Sequence, residues 1–294
     1  MAAVTAALVK ELREMTGAGM MDCKKALVET DGNIEAAVDL LREKGLAKAA
    51  KKAGRIAAEG LVKIAFSEDG KTAAIVEVNS ETDFVAKNEE FKSLVNTIAD
   101  AILNSEVTTV EEAMALEVEG TTIENMIVEK TSKIGEKLSF RRFNVVTKND
   151  DEVFGPYSHM GGKIVTLTVL SGNDSELAKD IAMQVAAMNP TYLNKEEVPA
   201  EVVEKERAIL TEAAEKEGLD PNKIPMIING RINKYYEEVC LLDQTFIKES
   251  KTKVSKYVES KNSNIVSFVR YEVGEGLEKK EENFADEVAK QMNA

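Results

Sequence analysis

Hydrophobic and polar residues in the first 45 positions follow a helical period. Val4, Leu8 and Leu12 lie four apart, which places them on one face of a helix. Glycines interrupt this pattern twice, in GAG and in DG, and Gly45 is expected to end the third helix. Three short helices predict a compact bundle, and with the basic linker that follows we assign residues 1–54 to an N-terminal three-helix module.

From residue 60 the hydrophobic pattern changes to a period of two, which predicts a strand hairpin, then a helix and a later strand. The same order of hairpin, helix and later strand begins again near residue 152. We interpret this as a duplicated α+β core with small antiparallel sheets. The predicted core N subdomain is 55–150, and the predicted core C subdomain combines 151–195 with 243–275.

The segment 196–242 has a different pattern of residues, because charged side chains lie nearly all round its first predicted helix. In its second helix Ile228, Ile232 and Tyr235 follow the spacing of four and three residues that is typical of coiled coils. A turn containing proline joins the two helices, which predicts an antiparallel coiled-coil arm. The chain then returns to the core, and an acidic C-terminal helix is predicted in 276–294.

Composition excludes several classes of function. The chain of 294 residues has a net charge of −14, which argues against a nucleic-acid backbone as its main ligand. Residues 1–60 hold ten basic and nine acidic side chains, a charge of +1, so the remaining residues carry −15. The chain has no run of ~20 apolar residues, its N-terminus is not expected to act as a secretory signal, and Cys23 and Cys240 have no disulfide or zinc spacing. We therefore expect a cytoplasmic protein that does not bind membranes.

Residue patterns typical of catalysis are scarce. His159 is the single histidine of the chain, and a lone histidine is more often structural or merely exposed. The G-x-G of residues 17–19 follows a helix, whereas a dinucleotide fingerprint needs a preceding strand. Arg141 and Arg142 would place one guanidinium on each face of a strand, and one of them is expected to pair with local acids rather than with a phosphate. We predict no catalytic residue, cofactor or metal site, and a binding protein rather than an enzyme.

One junction between a strand and a helix, residues 82–85 with the sequence TDFV, carries an aromatic ring beside a carboxylate. Junctions normally lie at the surface, where a phenylalanine is unexpected. Two interpretations are open. In the first, Thr82 caps a helical turn and Phe84 or Val85 fixes that turn to the core. In the second, Phe84 is an exposed anchor of the kind that dominates interfaces, and Asp83 acts on a polar site of a partner.

Several motifs resemble, in order, those of the translation elongation factor Ts family. They are LVKELREMTGAGMMDCKKALVETDGNIEAAVDLLREKG, AAEG, EVNSETDFVAKNEEF, KIGEKLSFRRF, YSHMGGKIVTLTV, VVEKER and VRYEVGEGLEK, and the resemblance extends over essentially the whole chain. The resemblance implies a UBA-like N-terminal module and a guanine nucleotide exchange factor without covalent chemistry of its own. The implied partner is elongation factor Tu, from which such a protein releases GDP so that GTP can bind.

The resemblance also implies which residues contact the partner. Residues 82–85 would intrude near the magnesium ion that holds GDP and help to dislodge it, and the N-terminal module and the C-terminal helix would grip the GTPase domain. The arm would serve self-association as a homodimer or the binding of other partners. Apart from the resemblance, the alternative function is a scaffold that oligomerises through this arm. The implied residues are Thr82, Asp83, Phe84 and Val85 for dislocation of the partner's Mg²⁺, and Gly17, Gly19, Met20, Met21 and His159 for partner binding.

Overall fold

The structure is a computed structural model that describes residues 4–16 and 18–278. The chain divides into two compact units, Met1–Val146 with Glu272–Ala294, and Thr147–Tyr271. The elements that begin in the first unit are α1 (Ala6–Thr16), α2 (Met20–Glu29), α3 (Ile34–Lys52), β1 (Glu59–Phe66), β2 (Thr72–Ser80), α4 (Asp83–Ala86), α5 (Glu89–Leu103), α6 (Val110–Met114), β3 (Glu117–Val118), β4 (Thr121–Thr122), α7 (Ile123–Ile134) and β5 (Ser139–Thr147).

The N-terminal helices α1 to α3 surround a small hydrophobic core of their own. Leu12, Cys23 and Leu27 are fully buried in it, and the Asn33 side chain caps α3 by accepting a hydrogen bond from the Ala36 amide at 3.1 Å. The predicted end of α3 at Gly45 is wrong, since the helix continues to Lys52. Gly45 is buried against α7, and the alanine-rich sequence that follows it favours continued helix.

The first sheet has the strand order β1-β2-β5. β1 and β2 form the predicted antiparallel hairpin, in which Ile64 lies opposite Ile75. The amphipathic helix α5 packs on this hairpin and buries Phe91, Leu94 and Ile98. Because β2 is buried along nearly its whole length, the residues that follow its end at Ser80 are held on a rigid base.

The second unit repeats this plan with the strand order β6-β7-β8 and with α8 packed on the hairpin. Gly155 of β6 permits this packing, because a Cβ atom there would lie 2.2 Å from the Ala178 carbonyl oxygen of α8. The predicted duplicated α+β core is confirmed by this repeated order. The elements of the unit are β6 (Glu152–His159), β7 (Ile164–Ser171), α8 (Ser175–Met188), α9 (Ala200–Lys216), α10 (Ile224–Val239), α11 (Val254–Ser260) and β8 (Ile265–Glu272).

The helices α9 and α10 pack on each other within the second unit. Their shared core contains Ala214, Ile224, Ile228 and Ile232, so the spacing seen in the sequence marks the buried face at the two isoleucines; Tyr236, rather than the predicted Tyr235, packs against this core. Supercoiling of this helix pair stays a prediction. The predicted C-terminal helix lies almost entirely at 279–294, outside the described residues.

Candidate partner-binding site

Residues 82–85 form a protrusion at the end of β2, where the short helix α4 begins. Neighbouring residues of this single turn face opposite ways: the Phe84 side chain is 79 % exposed, whereas Val85 and Ala86 are buried in the core of the first sheet. Val85 fixes the turn to the core, as the first interpretation expects, and Phe84 extends into solvent. The roles of Phe84 as an interface anchor and of Asp83 at a polar site of a partner stay predictions.

Asp83 and Phe84 share a neighbour, Lys87, one helical turn further on. The Lys87 ammonium donates a hydrogen bond to the Asp83 carboxylate at 2.7 Å, and its nitrogen lies 5.7 Å from the centre of the Phe84 ring. Lysine at this spacing and distance makes an ion pair of the helical type and a cation–π contact. The protrusion and Lys87 thus present an acid, a ring and a base together at the surface.

Thr82 lies at the base of the protrusion rather than at its tip. It occupies the position before α4, but its side chain makes no capping bond to that helix. Its amide and its hydroxyl instead donate to the carboxylate of Glu136, at 2.9 and 2.7 Å. Its carbonyl oxygen accepts a bond from the buried Ser80 hydroxyl at 2.9 Å. All three polar groups of Thr82 therefore attach the protrusion to the body of the unit.

A shallow hollow of about 390 Å³ adjoins the Phe84 ring. Phe84, Val85 and Ile134 supply apolar walls, and Glu90 and Lys133 form an ion pair of 2.8 Å at its edge. The hydrogen bond from Lys133 is the main reason that the pKa of Glu90 lies below its ordinary value, so this carboxylate stays ionised. The surface beside the ring combines apolar walls with fixed charges of both signs.

The N-terminal module exposes a second apolar surface at the turn between α1 and α2. Met15, Met20 and Met21 are all more than half exposed, and Gly19 has extended backbone at the start of α2. Gly17 lies outside the described residues. Flexible methionine side chains that cluster at a surface are typical of adaptable binding sites.

His159 ends strand β6 at the turn of the second hairpin. Its Nδ1 atom lies 3.2 Å from the Tyr157 hydroxyl, and the two rings stack with centres 6.2 Å apart. The next residue, Met160, has a positive φ of 49° and an exposed side chain. His159 is therefore part of an exposed hairpin tip within the second unit.

The described residues, 4–16 and 18–278, contain no group of three His, Cys, Asp or Glu side chains that could hold a metal ion. None of the helices in these ranges has the length and the apolar character needed to cross a bilayer. Cys23 and Cys240 are both fully buried, and desolvation raises the pKa of the Cys240 thiol to about 11.

Sequence reasoning missed three residues that the structure adds to these surfaces. Lys87 follows the TDFV motif at helical spacing, so the pattern of charges could have indicated its contact with Asp83. Met15 continues the apolar spacing of Leu8 and Leu12 in α1, which predicts burial, yet it is 62 % exposed, so the sequence pattern gave no signal for it. Glu136 is 54 positions from Thr82, and no local pattern joins them.

Two family models match the chain. The model described as UBA/TS-N domain matches residues 4–41, which include α1, α2 and the first part of α3. This match makes the chain a protein with a UBA-like N-terminal module, as predicted. The model described as Elongation factor TS matches residues 81–275, about two thirds of the chain, beginning one residue before the protrusion. The chain belongs to the elongation factor Ts family of translation factors.

Proposed function

We propose that this protein binds elongation factor Tu in its GDP form and promotes GDP release by disturbing the site that holds Mg²⁺ and the phosphates. The observation that carries this proposal is the 79 % exposure of Phe84 beside the carboxylate of Asp83, inside a segment that the family model matches. A large aromatic side chain gains free energy by leaving water, so an exposed one at a rigid base is suited to insertion into a partner.

The required energy can be estimated from general values. A GTPase holds GDP largely through its phosphates and Mg²⁺, and the metal contributes several kcal/mol by neutralising charge. Burial of a phenylalanine supplies about 1.5–3 kcal/mol, and each ~1.4 kcal/mol changes a rate or an affinity tenfold. Phe84 alone would therefore accelerate GDP release by roughly one to two powers of ten. The remainder must come from other contacts.

We assign that remaining grip to the other exposed surfaces. Gly19, Met20 and Met21 of the module 1–54 would bind the GTPase domain, and the methionine side chains can adapt to its shape. The C-terminal segment would add to this contact. The two core halves, 55–150 and the combined second subdomain, would hold different domains of the partner, with His159 at the hairpin tip as one contact.

Thermodynamic linkage explains why such a protein can turn over. If this protein weakens the binding of GDP to elongation factor Tu by some factor, then GDP weakens the binding of this protein to elongation factor Tu by the same factor. Entry of a nucleotide therefore releases this protein from the complex. The protein would therefore act as an exchange factor at substoichiometric amounts, without covalent chemistry of its own. Because the partner works in translation, we place this activity in the cytoplasm.

The test is a nucleotide chase. Elongation factor Tu is loaded with fluorescent GDP, unlabelled nucleotide is added in excess, and the decay is followed with and without this protein. We expect the wild-type protein to accelerate the decay at substoichiometric amounts and Phe84→Ala to slow it by more than tenfold while retaining the fold. Phe66→Ala is the matched control, because Phe66 is also exposed and lies in the same hairpin at its opposite end. Equal rates for wild type and Phe84→Ala would show that the protrusion has no role in exchange.

A scaffold that oligomerises through α9 and α10 is the second candidate. It is favoured by Ile209 and Met226, which expose large apolar side chains on these helices. A scaffold would form concentration-dependent oligomers in sedimentation experiments, and charged substitutions at these two positions would dissociate them. It would leave the rate of GDP release unchanged in the chase experiment.

A further inference from the structure

Four residues from two distant segments hold the base of the protrusion in a reciprocal arrangement. The Glu81 carboxylate accepts a hydrogen bond from the Lys137 amide at 2.6 Å, and the Glu136 carboxylate accepts one from the Thr82 amide at 2.9 Å. The pair Glu81 and Thr82 thus supplies one side-chain carboxylate and one backbone amide, and the pair Glu136 and Lys137 supplies the same two groups in return. We call Glu81, Thr82, Glu136 and Lys137 the clamp.

The protrusion needs such an anchor because its own helix cannot orient it. The helix α4 has four residues, and an isolated helix of that length is not stable in water. The Thr82 side chain does not cap it, because its hydroxyl donates to Glu136 instead. Burial of Val85 in the core of the first sheet fixes the middle of the turn, and the bonds to Glu136 fix Thr82, which precedes the turn. The direction of the intervening Phe84 ring follows from these two attachments.

The clamp also holds the linker that leaves the N-terminal module. Arg55, three residues after the end of α3, donates to the Glu81 carboxylate at 3.2 Å, and the Lys137 ammonium donates to the Arg55 carbonyl oxygen at 2.9 Å. The Glu81 side chain is mostly buried, so this contact is partly shielded from water. The linker and the protrusion therefore share one anchor, and displacement of either one strains the other.

We propose that Glu136 is a positioning residue for nucleotide exchange: through Thr82 it orients Asp83 and Phe84, and through the rest of the clamp it links that orientation to the N-terminal module. This inference rests on the proposed function, since it states how the exchange surface is held in place. A purely structural role for Glu136 would change stability. A positioning role changes the maximal rate of GDP release and the mobility of the ring.

The first experiment measures GDP release from elongation factor Tu over a range of protein concentrations, which separates the maximal rate from the concentration at half-maximal rate. We expect Glu136→Ala to lower the maximal rate roughly tenfold, because small misplacements of acting groups are costly. The half-maximal concentration should change less than the rate, since the methionine surface of the module is intact. Glu136→Gln should keep a maximal rate close to that of wild type. The carbonyl oxygen of the glutamine side chain can accept from the backbone amide of Thr82, and its NH₂ group can donate to the Thr82 hydroxyl.

The matched control is Glu112→Ala. Like Glu136, the Glu112 carboxylate accepts from backbone amide and threonine hydroxyl groups, here the amides of Thr108 and Thr109 and the Thr108 hydroxyl, but it does so at the start of α6. We expect this variant to keep the maximal rate of wild type. A loss in Glu112→Ala equal to that in Glu136→Ala would show that general destabilisation causes both, and it would overturn the proposal.

A double variant tests whether Glu136 acts through the ring. If it does, Phe84→Ala combined with Glu136→Ala should release GDP at nearly the rate of Phe84→Ala alone, because interacting residues are not additive. Independent, multiplying losses would contradict the proposal. If wild-type protein fails to accelerate GDP release at all, the proposed function fails. If wild type succeeds and Glu136→Ala matches it, only the positioning role fails.

A measurement without the partner completes the test. The chain contains no tryptophan, so F84W introduces a single indole at the tip of the protrusion. Time-resolved fluorescence anisotropy then reports the mobility of this side chain. We expect the fast component of the anisotropy decay to be larger when Glu136→Ala is combined with F84W than in F84W alone. Glu112→Ala combined with F84W should leave this component unchanged. An unchanged decay with Glu136→Ala would refute the orienting role of the clamp.

Discussion

Glu77 is a fully buried carboxylate in the middle of β2, and its removal should destabilise the first unit strongly. It accepts hydrogen bonds from Arg141 at 3.0 Å, from Arg142 at 2.6 Å, from the Gly274 amide at 2.9 Å and from the Asn79 amide group at 3.1 Å. Four donors around one carboxylate offset its desolvation. The bond from the Gly274 amide attaches the turn at this residue to the first sheet.

The expected loss of unfolding free energy follows from the cost of removing one partner of a buried ion pair, which is about 3–5 kcal/mol. The two guanidinium groups are 22 % and 29 % exposed and regain some hydration, so we expect the lower limit, about 3 kcal/mol, for Glu77→Gln. For a unit of this size the melting temperature should fall by roughly 6–12 °C in scanning calorimetry. Glu89→Gln is the control, because the Glu89 side chain is 86 % exposed and its pair with Lys92 should contribute less than about 1 kcal/mol.

The effect of Glu77 should depend on pH in one direction. Burial raises the pKa of this carboxyl, but the hydrogen bonds from Gly274, Arg142 and Asn79 outweigh it, and the pKa lies below the ordinary value of 4.5. The stabilisation is therefore complete above about pH 4.5 and is lost as the pH falls through the lower pKa of the folded state. The difference in unfolding free energy between wild type and Glu77→Gln should shrink under acid. A difference that is absent at neutral pH, or that grows in acid, would refute this reasoning.

Two further predictions concern the N-terminal module and the cysteines. Deletion of residues 1–54 should weaken binding to elongation factor Tu while the remainder still melts cooperatively, because the module has a hydrophobic core separate from that of the first sheet; loss of the cooperative transition would contradict this modular organisation. Cys240 should react with a thiol reagent at pH 8 roughly a hundredfold more slowly than a free thiol, because burial raises its pKa to about 11. Rapid labelling of the native protein would show that this thiol is accessible.

Hydrophobic spacing predicted the main elements because long periodic segments are the strongest local signal. The strands around Ile64 and Ile75, the helix α5 and the repeated order in the second unit all follow from it. The hairpin of β3 and β4 was missed, because strands of two residues are too short to show a period. The continuation of α3 past Gly45 depends on contact with α7, which lies far away in sequence.

At the candidate site, too, the features that depend on neighbouring residues could be predicted, and those that depend on contacts between distant segments could not. The TDFV motif marked the junction, and its unusual phenylalanine suggested a surface role. Whether Phe84 or Val85 turned outward could not be read from the sequence, because both are apolar and adjacent. The role of Glu136 at Thr82 depends on the folding of β5 beside β2, which brings the two segments together.

The opposite directions of Phe84 and Val85 have a consequence for engineering. Because the ring projects into solvent while its neighbour holds the turn, position 84 can change without creating a cavity. A library of all side chains at this one position should consequently yield folded proteins that differ in how they act on the proposed partner. The interaction proposed for the tip is thus open to selection at little cost to the fold.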